Sequence, residues 1–395
     1  MKKFIVLTAL LALPLAFTGC NSTDEPTAVS TVVDAIETAA ETLVHDIEAA
    51  AEEAASEAEA LADEVTTAIE EHIHHESEYV TVTYFDATGT GHDVTVRQNP
   101  TSVAIFDWGI LDILYTVGWE KTGIETLVIA DTATLPNEVA WFGTQNFVVR
   151  GGTLHYVNFD ILDLVQPELV ILGTRSFAHN HAGETTSPEV RAELRAQAEA
   201  EYQNTAFIRL TQNASRSNLI NDLRHNVSVL QQIFPHIADD LQAHLDASLA
   251  QLDYVRSMVE TSDSTALFVM VWADRMSIFL PEGRFHMIYD EFGFTSAAEE
   301  LPQWTDQHGL DARTEFLLSA DPDVIFLLDR TDMASPTGGV GVQNFLADTI
   351  IQNTSAFQND HIYVLEGNAW YTVTGGLSAL DTMIANIMEY VNTLE

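Results

Sequence analysis

Apolar positions along this chain change their spacing several times, and each change marks a different kind of element. Val29, Val33, Ile36, Ala40, Leu43, Ile47, Ala50 and Ala54 recur at alternating steps of four and three, which draws a narrow stripe on a helix. The stripe slips phase before Leu61, Val65 and Ile69. Residues 21–78 are therefore expected to form an acidic stalk, either helical or, because alanine makes a poor seam, disordered. As one continuous helix it would span on the order of 70 Å. At Tyr79 the period drops to two. Tyr79–Tyr84 and His92–Val96 alternate on either side of a turn at Ala87–Gly91 and predict a hairpin.

Short unbroken apolar runs follow, at Val103–Phe106, Thr126–Ile129 and Glu168–Leu172, with helical spacing at Gly109–Val117 and Phe159–Leu164. The same texture returns after residue 264, with strands predicted at Ala266–Val271 and Asp323–Leu328 and a helix at Phe285–Phe292. Buried strands alternating with helices imply parallel sheets covered on both faces. Between the two regions Ser217–Phe234 and Ile237–Val259 are helical in period and carry no strand signal, and Pro235 marks a break between them. The fold class expected is α/β. Two Rossmann-like lobes with parallel sheets, 79–216 and 263–395, are joined by a helical connector, 217–262, and preceded by the stalk.

Composition alters this picture at the start of the chain. Lys2 and Lys3, the apolar run Phe4–Phe17 and then Thr18-Gly19-Cys20 read as an export signal over residues 1–20 that stops at a lipid-attachment cysteine. The run is shorter than the roughly 20 apolar residues of a membrane-spanning helix. Cys20 is the only cysteine, so no intrachain disulfide can form, and its expected role is to carry acyl chains. A lipid-anchored monomer in the periplasm or on the cell surface follows as the expected location. The net charge of −43 argues against a nucleic-acid partner. Residues 21–78 hold 17 acidic and no basic residues, and Lys121 is the sole lysine after the signal, a pattern that suits a high-salt habitat. His72, His74 and His75 close the stalk and read as solvated residues at a helix end.

The chemistry lies at the ends of predicted strands. In open parallel sheets ligands bind beyond the carboxyl ends of the strands. Arg175 falls just after Leu169–Leu172, and Arg330 just after Val324–Leu328. Several phrases carry a likeness. Asn99-Pro100-Thr101-Ser102-Val103 through Phe106-Asp107-Trp108-Gly109, then Asp160-Ile161-Leu162 and Gln166-Pro167-Glu168-Leu169-Val170-Ile171, resemble the class III periplasmic binding proteins of siderophore transporters. Within that family they are most like the iron(III)-catecholate siderophore-binding lipoproteins of the enterobactin-fragment and petrobactin type. The resemblance spans about residues 98 to 393.

The resemblance implies a set of site residues. Gly173-Thr174-Arg175, Gly283-Arg284-Phe285-His286 and Leu327-Leu328-Asp329-Arg330 occupy the places of three ligand-binding arginines, with His286 replacing a small residue. Gln307-His308-Gly309 and Asn368-Ala369-Trp370-Tyr371, with Gly375-Gly376 beyond, occupy the places of an iron-ligating histidine and tyrosine. A tetradentate catecholate leaves two octahedral positions of iron(III) open for His308 and Tyr371. Three guanidinium forks would balance the ligand's negative charge. Trp108 is expected among the ligand-binding residues, Trp272 and Trp304 are further candidates for the cleft, and His155, His179 and His181 read as surface residues. No intrinsic cofactor is implied. The partners implied are the iron-siderophore and the permease and ATPase of an ABC importer. The alternative in the same fold is a receptor for haem, cobalamin or a hydroxamate siderophore. An enzyme is not expected, because no Gly-x-Ser-x-Gly elbow, Gly-rich phosphate loop or His-Glu-x-x-His motif occurs.

Overall fold

A computed structural model describes residues 79–395 except 87–88, 131–134, 211–217, 273–274, 299–309, 312, 334–337 and 395, together with residues 38–42, 44, 45, 49 and 51. The chain divides into two units, Met1–Glu76 and Ser77–Glu395. In the first, the described residues are helical and exposed. Cys20, His72, His74 and His75 lie outside the described residues.

The second unit opens with the expected hairpin. β1 (Tyr79–Phe85) pairs antiparallel with β2 (Gly91–Arg97), in register from Tyr79 opposite Arg97 to Phe85 opposite Gly91. The first lobe is built on β3 (Ser102–Ile105), β4 (Thr126–Ile129), β5 (Val148–Arg150), β6 (Leu169–Leu172) and β7 (Ala206–Arg209). These lie in the order β5-β4-β3-β6-β7 with every pair parallel. Its inner strands are covered on both sides, which is why the sequence reads there as unbroken apolar runs.

The second lobe contains β8 (Thr265–Trp272), β9 (Arg275–Phe279), β10 (Thr295–Ser296), β11 (Leu310–Asp311), β12 (Val324–Asp329) and β13 (Ile362–Val364). They run in the order β11-β9-β8-β12-β13, with β10 paired to β8. This sheet is mixed, which corrects the expectation of a purely parallel one. Trp272 pairs with Arg275, so β8 and β9 form a hairpin across two residues and must be antiparallel, because a parallel return needs a long crossover. β11 is antiparallel to β9, while β12 is parallel to both β8 and β13. Side chains of β8 alternate between two cores. Phe268 and Met270 join the large core, whereas Leu267, Val269 and Val271 join a smaller one on the other face.

Two helices, Leu219–Ile233 and Ala238–Ser262, connect the lobes, with Pro235 in the single turn between them. The expected helix at Phe285–Phe292 is shorter, Met287–Asp290. The last helix, Leu377–Val391, returns to pack on the connector helix Ala238–Ser262 and on the first-lobe helix Trp108–Thr116. As a result the large core is continuous through hairpin, first lobe, connector and one face of the second lobe. Among the described residues, no helix is long and apolar enough to cross a membrane.

Candidate functional site: three arginines around Tyr371

Arg175 is set by a tight turn at the carboxyl end of β6. The Gly173 N–H donates to Ser176 Oγ at 3.0 Å, and the Ser176 N–H returns to the Gly173 carbonyl at 3.2 Å. Only glycine fits at 173. A Cβ there would lie 2.6 Å from Asp107 Oδ2 and 2.9 Å from the Phe106 carbonyl oxygen. Asp107 itself caps the helix Trp108–Thr116, accepting from the N–H groups of Gly109 and Ile110. Packed under Gly173, its carboxyl is pushed up to about 6 by burial, against the pull of the Arg175 charge and of those two backbone donors.

Arg284 follows β9 on another short turn, closed by the Gly283 N–H donating to the Leu280 carbonyl at 2.8 Å. Its neighbour Phe285 is the anchor. That ring is fully buried, stacks on Phe268 at 3.9 Å between centroids and meets Phe279 edge-on at 4.7 Å. Arg330 follows β12, and its N–H donates to the Val271 carbonyl at 2.9 Å. The preceding Asp329, 2% exposed, holds the loop by accepting from the N–H groups of Thr331 and Gly339, each at 2.8 Å. Tyr371 ends the helix Gly367–Tyr371. Next to it Trp370 is buried, with its indole N–H donating to Asn386 Oδ1 at 2.9 Å.

These separate supports bring three guanidinium groups to one ring. The Arg284 Cζ lies 3.7 Å from the Tyr371 ring centroid, Arg330 5.5 Å and Arg175 5.8 Å. Arg175 and Arg284 also donate to the Tyr371 carbonyl oxygen, at 2.8 and 2.9 Å, so one residue ties together arginines from both lobes. Burial pushes the Arg284 guanidinium down to about 10, and the charges of Arg175 and Arg330 push the same way, while Tyr371 partly offsets them. All three arginines are partly buried. The arrangement concentrates positive charge in a chain of net charge −43.

Trp272 adds an apolar surface. It ends β8, is 45% exposed, and has the Arg330 Cζ 4.1 Å above its ring. Trp108 is placed otherwise than expected. It is only 4% exposed and belongs to the large core, so it offers a ligand almost no surface. His308 and Trp304 lie outside the described residues. His181 is exposed as expected, but His155 and His179 stack on each other at 4.7 Å and are partly buried. Burial first, then the Arg175 charge, hold His155 down at about 4, so it stays neutral beside the arginines. No sequence signal separates that pair from ordinary loop histidines.

A cationic, partly buried cluster at the strand ends of a two-lobed α/β protein has the chemistry to take an anionic small molecule. Residues 103–369 match the family model of periplasmic binding proteins, and the chain belongs to that family. It is therefore a binding protein and not an enzyme. It is 24% identical over 319 residues to the petrobactin-binding protein YclQ of Bacillus subtilis, covering 80% of this chain and 89% of that one. Over 177 residues it is 25% identical to the ferric-anguibactin-binding protein FatB of Vibrio anguillarum, covering 44% and 53% of the two chains. Its fold matches the crystal structure of the catecholate-siderophore binding protein VctP of Vibrio cholerae with a TM-score of 0.64 at 20% identity, covering 79% of this chain and 100% of that one.

Proposed function

We propose that this protein captures an iron(III)-catecholate siderophore between its lobes and delivers it to the permease of an ABC importer. The observation that carries this reading is the convergence of Arg175, Arg284 and Arg330 on Tyr371. Each catecholate is a dianion, so a ferric catecholate is repelled by the body of the protein and drawn to the place where these three guanidinium groups gather around Tyr371. Forked, charge-assisted hydrogen bonds are strong there because the arginines are already partly desolvated. Arg175 and Arg284 are held to a backbone carbonyl that a better acceptor can replace. Tyr371 would give its phenolate to iron, and His308 would supply the second protein ligand, as the resemblance implies. Trp272 would stack on a catecholate ring.

The similarity to receptors named for petrobactin and anguibactin supports the ligand class. Export, attachment to a membrane through Cys20 and a monomeric state complete the proposal.

Titration of the chain with iron(III) complexes of a bis-catecholate and of a hydroxamate, and with haem, followed by tryptophan fluorescence and visible absorption, tests it. The bis-catecholate should bind most tightly. Tyr371→Phe should abolish the absorption change due to phenolate coordination, and Arg330→Gln should weaken binding by about 10- to 100-fold. A preference for the hydroxamate or for haem would overturn the reading.

A further inference from the structure

A second cluster lies on the helix Met287–Asp290 and its flanks, close in sequence to Arg284 but built from different chemistry. His286 Nδ1 is 3.0 Å from Asp290 Oδ2 and 3.8 Å from Glu291 Oε2. The three ligand atoms all lie within 4.8 Å of one another. His286 is 7% exposed and Glu291 3%, whereas Asp290 is open to solvent and free to adjust. Glu291 is divided in its roles. Oε1 accepts from the Leu219 N–H at 2.8 Å and so caps the first connector helix. Oε2 is buried and accepts no hydrogen bond among the described residues.

A hydrogen bond between His286 Nδ1 and Asp290 Oδ2 accounts for one contact of the imidazole. It leaves the second carboxylate oxygen of Glu291 desolvated beside the same nitrogen, at a separation too long for a hydrogen bond. We propose that His286, Asp290 and Glu291 form a site for a divalent transition ion of the zinc class. Bonds of about 2.0 to 2.2 Å to one nitrogen and two carboxylate oxygens place the ligand atoms roughly 3 to 4 Å apart, which the 3.0 and 3.8 Å from His286 Nδ1 to the two carboxylates match. An imidazole favours such an ion over calcium or magnesium, which select sets made of oxygen alone. The bound ion satisfies Oε2, fixes the turn that carries Arg284 and, through Leu219, ties that turn to the connector. The site depends on none of the arginines around Tyr371.

Zn2+ itself is the probe. Equilibrium dialysis of the full chain, followed by competition with a chelator, should find one tightly bound equivalent that is weakened in two variants. Glu291→Gln keeps a carbonyl acceptor for the Leu219 N–H but removes the anionic ligand, and should lower that affinity by more than about 100-fold. Asp290→Asn, at an exposed position that leaves the fold unchanged, should lower it by about 10-fold. Circular dichroism of both variants without metal should match that of the parent chain. Zinc bound with equal stoichiometry and affinity by the parent and Asp290→Asn would assign it to other histidines and overturn the proposal. Absence of a tight equivalent in the parent chain would overturn it too.

Discussion

At the scale of single residues, the arginine cluster stores repulsion that a ligand can relieve. Arg284 sits under burial and beside two like charges, so its guanidinium group costs the ligand-free protein stability at neutral pH. Arg284→Met should therefore raise the thermal midpoint of the free protein while lowering affinity for the anionic ligand by at least about 10-fold. A melting curve and a titration on the same sample check both signs, and a variant that lost stability would contradict the argument. Arg175 and Arg330 were legible in the sequence because each directly follows an apolar strand, where geometry dictates what faces the cleft. Trp108 was not, since an aromatic residue beside a turn looks the same whether it lines a pocket or fills a core. Asp112 gave no signal at all, because its partners lie 266 and 267 positions away.

At the scale of elements, Asp112 shows what helix pattern leaves out. The last helix has a clear stripe of Leu380, Met383, Ile384, Ile387 and Val391, which reads as one buried face. Nothing in that stripe names the surface it meets. In the fold, the carboxylate of Asp112 accepts from the N–H groups of Ser378 and Ala379 and from the Ser378 hydroxyl, capping this helix from the other lobe. Close approach is possible because residue 376 is glycine, where a Cβ would sit 2.1 Å from Asp112 Oδ2. Gly376→Ala should cost about 1 to 3 kcal/mol in chemical denaturation. Burial pushes the Asp112 carboxyl up to about 7, although its three donors pull it down. A carboxyl whose pKa is higher in the folded state than its ordinary 3.8 binds more protons when folded. Its contribution to stability is therefore fully present below the ordinary 3.8 and is lost as pH rises through about 7. Asp112→Asn should flatten that part of the stability profile relative to the parent, and parallel profiles would refute the assignment. Strands such as β13 escaped the sequence for a simpler reason. Its three residues are all partly buried, too few and too uniform to display an alternation.

At the scale of the whole molecule, charge and architecture work against each other. A net charge of −43 on 395 residues makes the compact state repel itself. Screening shortens the reach of that repulsion from about 10 Å at 0.1 M salt to about 3 Å at 1 M. The thermal midpoint should rise over that range, and a midpoint that is flat or falls with salt would remove the inference of a high-salt habitat. The alternation of strands and helices announced two α/β lobes and their connector in advance. The antiparallel edge of the second sheet was hidden, because β9 and β11 are short, β9 pairs back on β8 across only two residues, and β11 joins β9 from more than thirty residues further along the chain. A core shared between the lobes was hidden as well, since hydrophobic pattern marks what is buried but not beside what.

The cap that Asp112 provides makes the order of synthesis matter. The first lobe emerges early, yet one of its inward-facing acids has no donors until the final stretch of polypeptide has arrived. A product clipped ahead of Leu377 would thus be damaged far from the cut, and the loss should be felt first as loosening around Trp108–Thr116.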